Sequence, residues 1–306
     1  MEPDNSIRSS SGHQHPMTYL FRSSYRAVFH WLFAVLCWSI PAGPANAIEL
    51  PVPEKLERQF AVKRQTVEVV EPHDSTPDRP HVVRYQALAM EELLSRWFMD
   101  RWKTRDAEIV LLARDGYRST IPGGRFLEHR AYLAFGRDDG GPFNVNNLQQ
   151  HEQGIPLGPY YLIWDNRNSG ELQRQGAYGW PYQVTRIDLH SPSDDRRLLP
   201  ADADPTAEKG FSEAREYCLT CHHIRGIGGT KYPVDLVQAT CRWKEDDLKA
   251  WLADPGRIRP GTAMPPLNPR LPASERVRVI DDIGAFLGVL RRDVPGGCIG
   301  PDSGIR

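Results

Sequence analysis

The chain predicts a multidomain protein in which an α+β unit precedes a helical one. Three observations lead there. An apolar run near the N-terminus, residues 27–40, stands apart from everything that follows. Between residues 48 and 199, short strand-like runs mix with helical stretches, the pattern of α+β folds. Past a polar link at residues 191–197 and 200–206, apolar positions recur at helical spacing. The units so defined are residues 1–47, 48–199 and 200–306. The second is long enough to be a domain of its own. Charged residues make up 25% of the chain and aromatic residues 9%, ordinary for a globular protein. The formal net charge of −1 gives no broad case for nucleic acid or an anionic membrane surface as a partner.

Residues 1–47 read as a secretory signal peptide. Arg22 and Arg26 precede the apolar run, and Ala45-Asn46-Ala47 offers small residues for cleavage before Ile48. The run is too short to span a bilayer, which takes about 20 apolar residues. Cys37 follows the bulky Leu36, so lipidation is not expected. The expected location is the bacterial periplasm, with no stable membrane insertion after cleavage.

The second unit is read from its patterning. Strands are expected at residues 65–70, 81–85, 107–113, 160–164 and 182–189, with a helix at 90–102. A Pro- and Asp-rich turn fills residues 72–80. His73, His81, His129, His151 and His190 are scattered, with no i, i+4 pair for a metal. Asp115 and Tyr117 are read as shaping the turn after the strand at 107–113, and Trp164, Trp180 and Tyr182 as core.

The third unit carries Cys218-Leu219-Thr220-Cys221-His222. C-x-x-C-H is the attachment signature of a c-type haem. Two thiols three positions apart lie on one face of a helical turn, where they can add to the two vinyl groups of one porphyrin. The adjacent imidazole then serves as proximal ligand. A zinc half-site needs a second Cys/His pair, and a thioredoxin-like dithiol needs a βαβ setting. Neither context is visible. Downstream, Met264 is the one plausible distal donor, because His223 adjoins the proximal ligand and cannot reach the other face of the ring. Met264 lies in Arg259-Pro260-Gly261-Thr262-Ala263-Met264-Pro265-Pro266, whose prolines and glycine predict an irregular loop. The alternative for a lone methionine is a gap-filling core role. Helices are expected at residues 244–252 and 274–290. The first has Leu248, Trp251 and Leu252 on one face. The second has Val277, Ile280, Ile283, Phe286 and Leu287, with Ser274 as N-cap.

With motif, spacing and helix order in hand, residues 205–294 resemble a class I cytochrome c. The resemblance implies an all-α class I cytochrome c domain with one covalent haem c. It implies attachment through Cys218 and Cys221, iron ligation by His222 and Met264, and a Pro233 carbonyl that accepts a hydrogen bond from His222. It further implies that the first and last helices cross at Gly210, Phe211 and Phe286. Of the cysteines, Cys241 and Cys298 are left over, and leftover thiols tend to pair in an oxidising compartment.

Residues 82–189 resemble part of the molybdopterin-binding domain of the sulfite oxidase family. The carriers are Ala113-Arg114-Asp115-Gly116-Tyr117, Ser119-Thr120-Ile121-Pro122, Ala131-Tyr132-Leu133-Ala134-Phe135, Gly158-Pro159-Tyr160-Tyr161-Leu162-Ile163-Trp164 and Tyr178-Gly179-Trp180-Pro181-Tyr182-Gln183-Val184. That family binds molybdenum through a cysteine thiolate, and no cysteine lies between Ile48 and Tyr217. Such proteins are exported folded through paired arginines, whereas Arg22 and Arg26 are not adjacent.

The expectation is therefore a periplasmic monohaem c-type cytochrome that carries single electrons, with a cofactor-free N-terminal docking domain. Its partner would be a periplasmic redox protein, dehydrogenase or terminal oxidase. Two alternatives stand beside it: a sulfite-dehydrogenase-like oxidoreductase passing electrons to its own haem, and a haem-linked sensor of a small ligand.

Overall fold

The structure is a computed structural model and describes residues 46–191, 193–201, 203–294 and 298. The signal segment therefore lies almost wholly outside the described residues. Chain order begins with β1 (Ala47–Glu49), α1 (Pro53–Phe60), β2 (Gln65–Val70), β3 (Val82–Ala89) and α2 (Met90–Phe98). Then come β4 (Glu108–Ala113), β5 (Arg118–Pro122), α3 (Gly123–Glu128), β6 (Ala131–Arg137), β7 (Asn144–Asn147), β8 (Glu152–Pro156) and β9 (Tyr161–Trp164). They are followed by α4 (Gly170–Arg174), β10 (Val184–His190), α5 (Ser193–Arg196) and α6 (Pro205–Tyr217). The chain continues through β11 (His223–Ile224), β12 (Ile227–Gly228), α7 (Leu236–Thr240), α8 (Glu245–Ala253), α9 (Pro255–Ile258) and α10 (Ala273–Arg292).

Two antiparallel sheets, β1-β10-β4-β5 and β2-β3-β6-β9, share one hydrophobic core with α2. Met90, Leu93, Leu94, Trp97 and Phe98 are all buried, the i, i+3, i+4, i+7, i+8 stripe of an amphipathic helix. The helix stops at Phe98 rather than reaching Trp102, because Met99 leaves the helical conformation with a positive φ (53°). A short 3₁₀ turn over Arg101–Lys103 buries Trp102 instead. β4 is buried along nearly its whole length, as its unbroken apolar run implies.

A second core gathers Phe211, Leu219, Ile224, Leu248, Ile283, Phe286 and their neighbours. α6 begins at Asp204, whose carboxylate caps the free N–H groups of Thr206 and Ala207. It crosses α10 at Gly210. A Cβ there would stand 1.8 Å from the Asp282 carbonyl oxygen, so only glycine allows the approach. Phe211 and Phe286 meet beside the crossing, their rings 5.5 Å apart. Gly210→Ala is expected to push the helices apart and cost about 3 kcal/mol. A urea midpoint equal to that of the wild type would contradict this. α10 starts one residue ahead of Ser274, with Pro272 at the N-cap and no side-chain cap bond, and its Val277 is exposed rather than packed.

The expected fold class needs correction. The C-terminal region is not all-α. His223 and Ile224 pair with Gly228 and Ile227 across a two-residue loop, Arg225-Gly226. Both loop residues have positive φ, 49° and 80°, as a tight hairpin turn requires, and glycine supplies one of them without steric cost. A parallel bridge joins His223 to Asp235, and α10 is the single helix of residues 273–292. Pro44–Arg306 forms one compact unit of mixed α and β structure that contains both cores. Among the described residues no helix is long and apolar enough to cross a membrane.

The link itself explains this. Asp195 of α5 is almost fully buried and bonds Arg118 of β5 (3.3 Å) and Arg215 of α6 (3.2 Å). Arg215 also pairs with buried Glu108 of β4. Main-chain bonds add to this seam, from Arg118 N to Thr220 O and from Thr230 N to Gly116 O, each 2.8 Å.

Candidate functional site

Cys218, Cys221, His222 and Met264 line one cavity of about 600 Å³. That lies within the range of small-molecule and cofactor pockets, roughly 300–1,000 Å³. Cys218 is the C-cap of α6, and its carbonyl accepts from the N–H groups of Cys221 (3.2 Å) and His222 (2.9 Å). These bonds close the turn that sets both thiols and the imidazole on the cavity wall. The β11–β12 hairpin packs onto that turn, Gly229 N donating to Leu219 O at 2.7 Å. Neither thiol is in a disulfide. Burial, with Cys221 beside it, pushes the Cys218 thiol up to about 12, and burial raises Cys221 as well. Burial and the neighbouring His223 lower His222, so its imidazole is neutral at neutral pH. Neutral imidazole is the form that binds iron.

His222 stacks loosely on Tyr232, with ring centroids 5.5 Å apart. Its Nδ1 is buried and makes no hydrogen bond, so the bond expected from His222 to the Pro233 carbonyl is not formed. The neighbours of Pro233, Tyr232 and Val234, are on the cavity wall. An unpartnered buried nitrogen costs about 1–3 kcal/mol. Two free thiols, a neutral imidazole and a thioether on an aromatic-rich wall form a donor set that fits a covalently held haem.

Met264 lies on the irregular segment between α9 and α10. Its N–H donates to Thr262 Oγ1 at 3.2 Å, and its sulfur accepts from Trp251 Nε1 at 3.0 Å. Trp251 packs on Trp243, centroids 5.5 Å apart. Cys241 and Cys298 form a disulfide that ties the C-terminal cysteine to the end of α7.

Sequence reasoning missed how much of this cavity the N-terminal half supplies. His73, Asp115, Tyr117, Gln150, Trp180 and Tyr182 are all on its wall. Asp115 does shape its turn, accepting from Tyr117 N at 3.0 Å, but it also holds Lys231 at 2.9 Å across the seam. His73 had no visible partner in the sequence. In the fold its Nδ1 lies 2.9 Å from Glu71 Oε1, beneath the cavity. Glu71 is fully buried and accepts further bonds from Tyr85 Oη (2.8 Å) and Tyr161 Oη (2.9 Å). Burial would raise this carboxyl, but the bonds and charge from His73 and the Tyr85 bond outweigh it and hold it below the usual carboxylate range. The only hint in the sequence is an acid and an imidazole, Glu71-Pro72-His73, at the end of an apolar strand.

Among the described residues, no group of three or more His, Cys, Asp or Glu side chains is placed to hold a bare metal ion. No protein-family model matches the chain, and no curated protein matches it in sequence.

Proposed function

We propose that this chain is a periplasmic monohaem c-type cytochrome that carries single electrons between redox partners. The observation that supports it most is the convergence of Cys218, Cys221, His222 and Met264 on one cavity. When bound there, a haem would supply a one-electron iron couple. The chain's own residues do the rest. Cys218 and Cys221 provide two thioether anchors. His222, neutral because it is buried, provides the proximal nitrogen. Met264 would provide a thioether, a donor that favours the ferrous state and so would raise the potential. Trp243, Trp251 and Leu287 give the cavity an apolar lining that keeps water from the ring. The partner would be a periplasmic dehydrogenase, oxidase or small redox protein.

The experiment is a redox titration of the exported protein with and without Met264→Ala. Wild type is expected to be low-spin and to show the weak long-wavelength ferric band of methionine ligation. The variant is expected to lose that band and to show a lower midpoint potential. An unchanged band and potential would show that another group holds the sixth position.

A further inference from the structure

We propose that the N-terminal half is a clamp on the Met264 loop, with Gln150 and Arg270 as positioning residues for the axial thioether. The inference rests on the haem reading above, and the observations that carry it lie in the fold.

Residues 259–271 have no regular structure between α9 and α10. Such a segment cannot hold a sulfur in place by its own ladder of hydrogen bonds. Its own half holds it by packing Met264, Leu267 and Leu271 against the second core, and by hydrogen bonds such as Leu267 N to Leu252 O (3.1 Å) and Trp251 Nε1 to the Met264 sulfur (3.0 Å). The other half grips it on both sides of Met264. Gln150 Nε2 donates to the Ala263 carbonyl at 3.1 Å, and that carbonyl belongs to the peptide unit carrying the Met264 N–H. Beyond Met264, Arg270 reaches into the N-terminal half. Its Nη1 donates to Gln173 O at 2.9 Å, and its Nη2 to Ser75 O at 2.8 Å and Pro72 O at 3.3 Å. Asn268 Nδ2 adds a long contact to Gln175 O at 3.5 Å.

Among the described residues, Arg270 has backbone carbonyls and no carboxylate as partners. A half-buried guanidinium with only neutral acceptors is held by geometry rather than by charge pairing. The planar fork donates in two directions at once, to residues 72–75 and to residue 173, which a lysine cannot reproduce. The N-terminal half would therefore set where the methionine sulfur stands and how far it can move. A thioether is a weak ligand, so its occupancy at iron depends on such positioning more than that of an imidazole does.

The test uses the full exported chain with Gln150→Leu, Arg270→Met and Arg270→Lys, and Lys249→Met as a surface control. Among the described residues Lys249 pairs with Glu245 and Asp281, away from this loop. Covalent haem content should stay the same in all. Amide exchange at Met264, Leu267 and Leu271 should quicken roughly tenfold in Gln150→Leu and roughly a hundredfold in Arg270→Met. Both should weaken the ferric methionine band and lower the midpoint potential, and Arg270→Lys should resemble Arg270→Met. The control should match wild type. Unchanged exchange, band and potential in Gln150→Leu and Arg270→Met would overturn the clamp. A wild-type protein with covalent haem but no methionine band would instead refute ligation by Met264. The exchange rates would then still decide whether the loop is clamped.

Discussion

Replacing Cys218 and Cys221 together with alanine is expected to leave an exported chain from which acid–acetone extraction removes all haem. The effect should be complete, because each thioether bond needs its own thiol and no other free cysteine is present among the described residues. Cys241 and Cys298 are consumed by their disulfide, and Cys37 lies in the expected signal segment. Cys218→Ala or Cys221→Ala alone should keep one bond and so retain extractable-resistant haem at a reduced level. His222→Ala should behave differently, since both anchors persist while the proximal nitrogen is lost. Covalent haem in the double variant, detected by peroxidase staining after denaturing electrophoresis, would remove the C-x-x-C-H turn from the account.

A second large effect is expected at the seam between the two cores. Arg215→Met should destabilise the protein by about 3–5 kcal/mol. Arg215 pairs with buried Glu108, and it shares Asp195 with Arg118. Methionine keeps much of the stem that packs near Phe211. The cost is therefore mainly a carboxylate left buried and unpaired in β4. Glu108→Gln in the same chain should recover much of the loss, giving a strong coupling in a double-mutant cycle. Urea unfolding followed separately by tryptophan fluorescence and by haem absorbance reads both cores. A loss below about 1 kcal/mol, the level of a surface pair, would show that the seam is not held by this cluster.

The legible parts of the sequence were those whose chemistry is local. C-x-x-C-H works through spacing within one turn, and the Pro/Gly-flanked Met264 declares an irregular loop from its immediate neighbours. The strand at Gln65–Val70 is legible because Thr66, Val67, Val69 and Val70 favour strands and the run ends at a proline-containing turn. Other features needed the fold. Residues 191–197 look like a solvated linker because they are polar, yet Asp195 is buried there. Its partners, Arg118 and Arg215, lie 77 and 20 positions away. The hairpin of β11 and β12 is only two residues per strand, too short for any periodicity to register. Its turn is made by Arg225 and Gly226, both at positive φ, which only Gly226 adopts without steric cost. The shared cavity wall was invisible for the same reason as the seam: Lys231 finds Asp115, and Arg270 finds Pro72 and Ser75, only once the two halves are packed.

The most direct test of the central claim is the intact mass of the protein, exported with haem maturation and measured under denaturing, non-reducing conditions after treatment with an alkylating reagent. The expected result is a mature chain heavier by one haem, with no alkylated thiol, since Cys218 and Cys221 would be bonded to the ring and Cys241 and Cys298 are bonded to each other. A chain without the added mass, alkylated at Cys218 and Cys221, would contradict it.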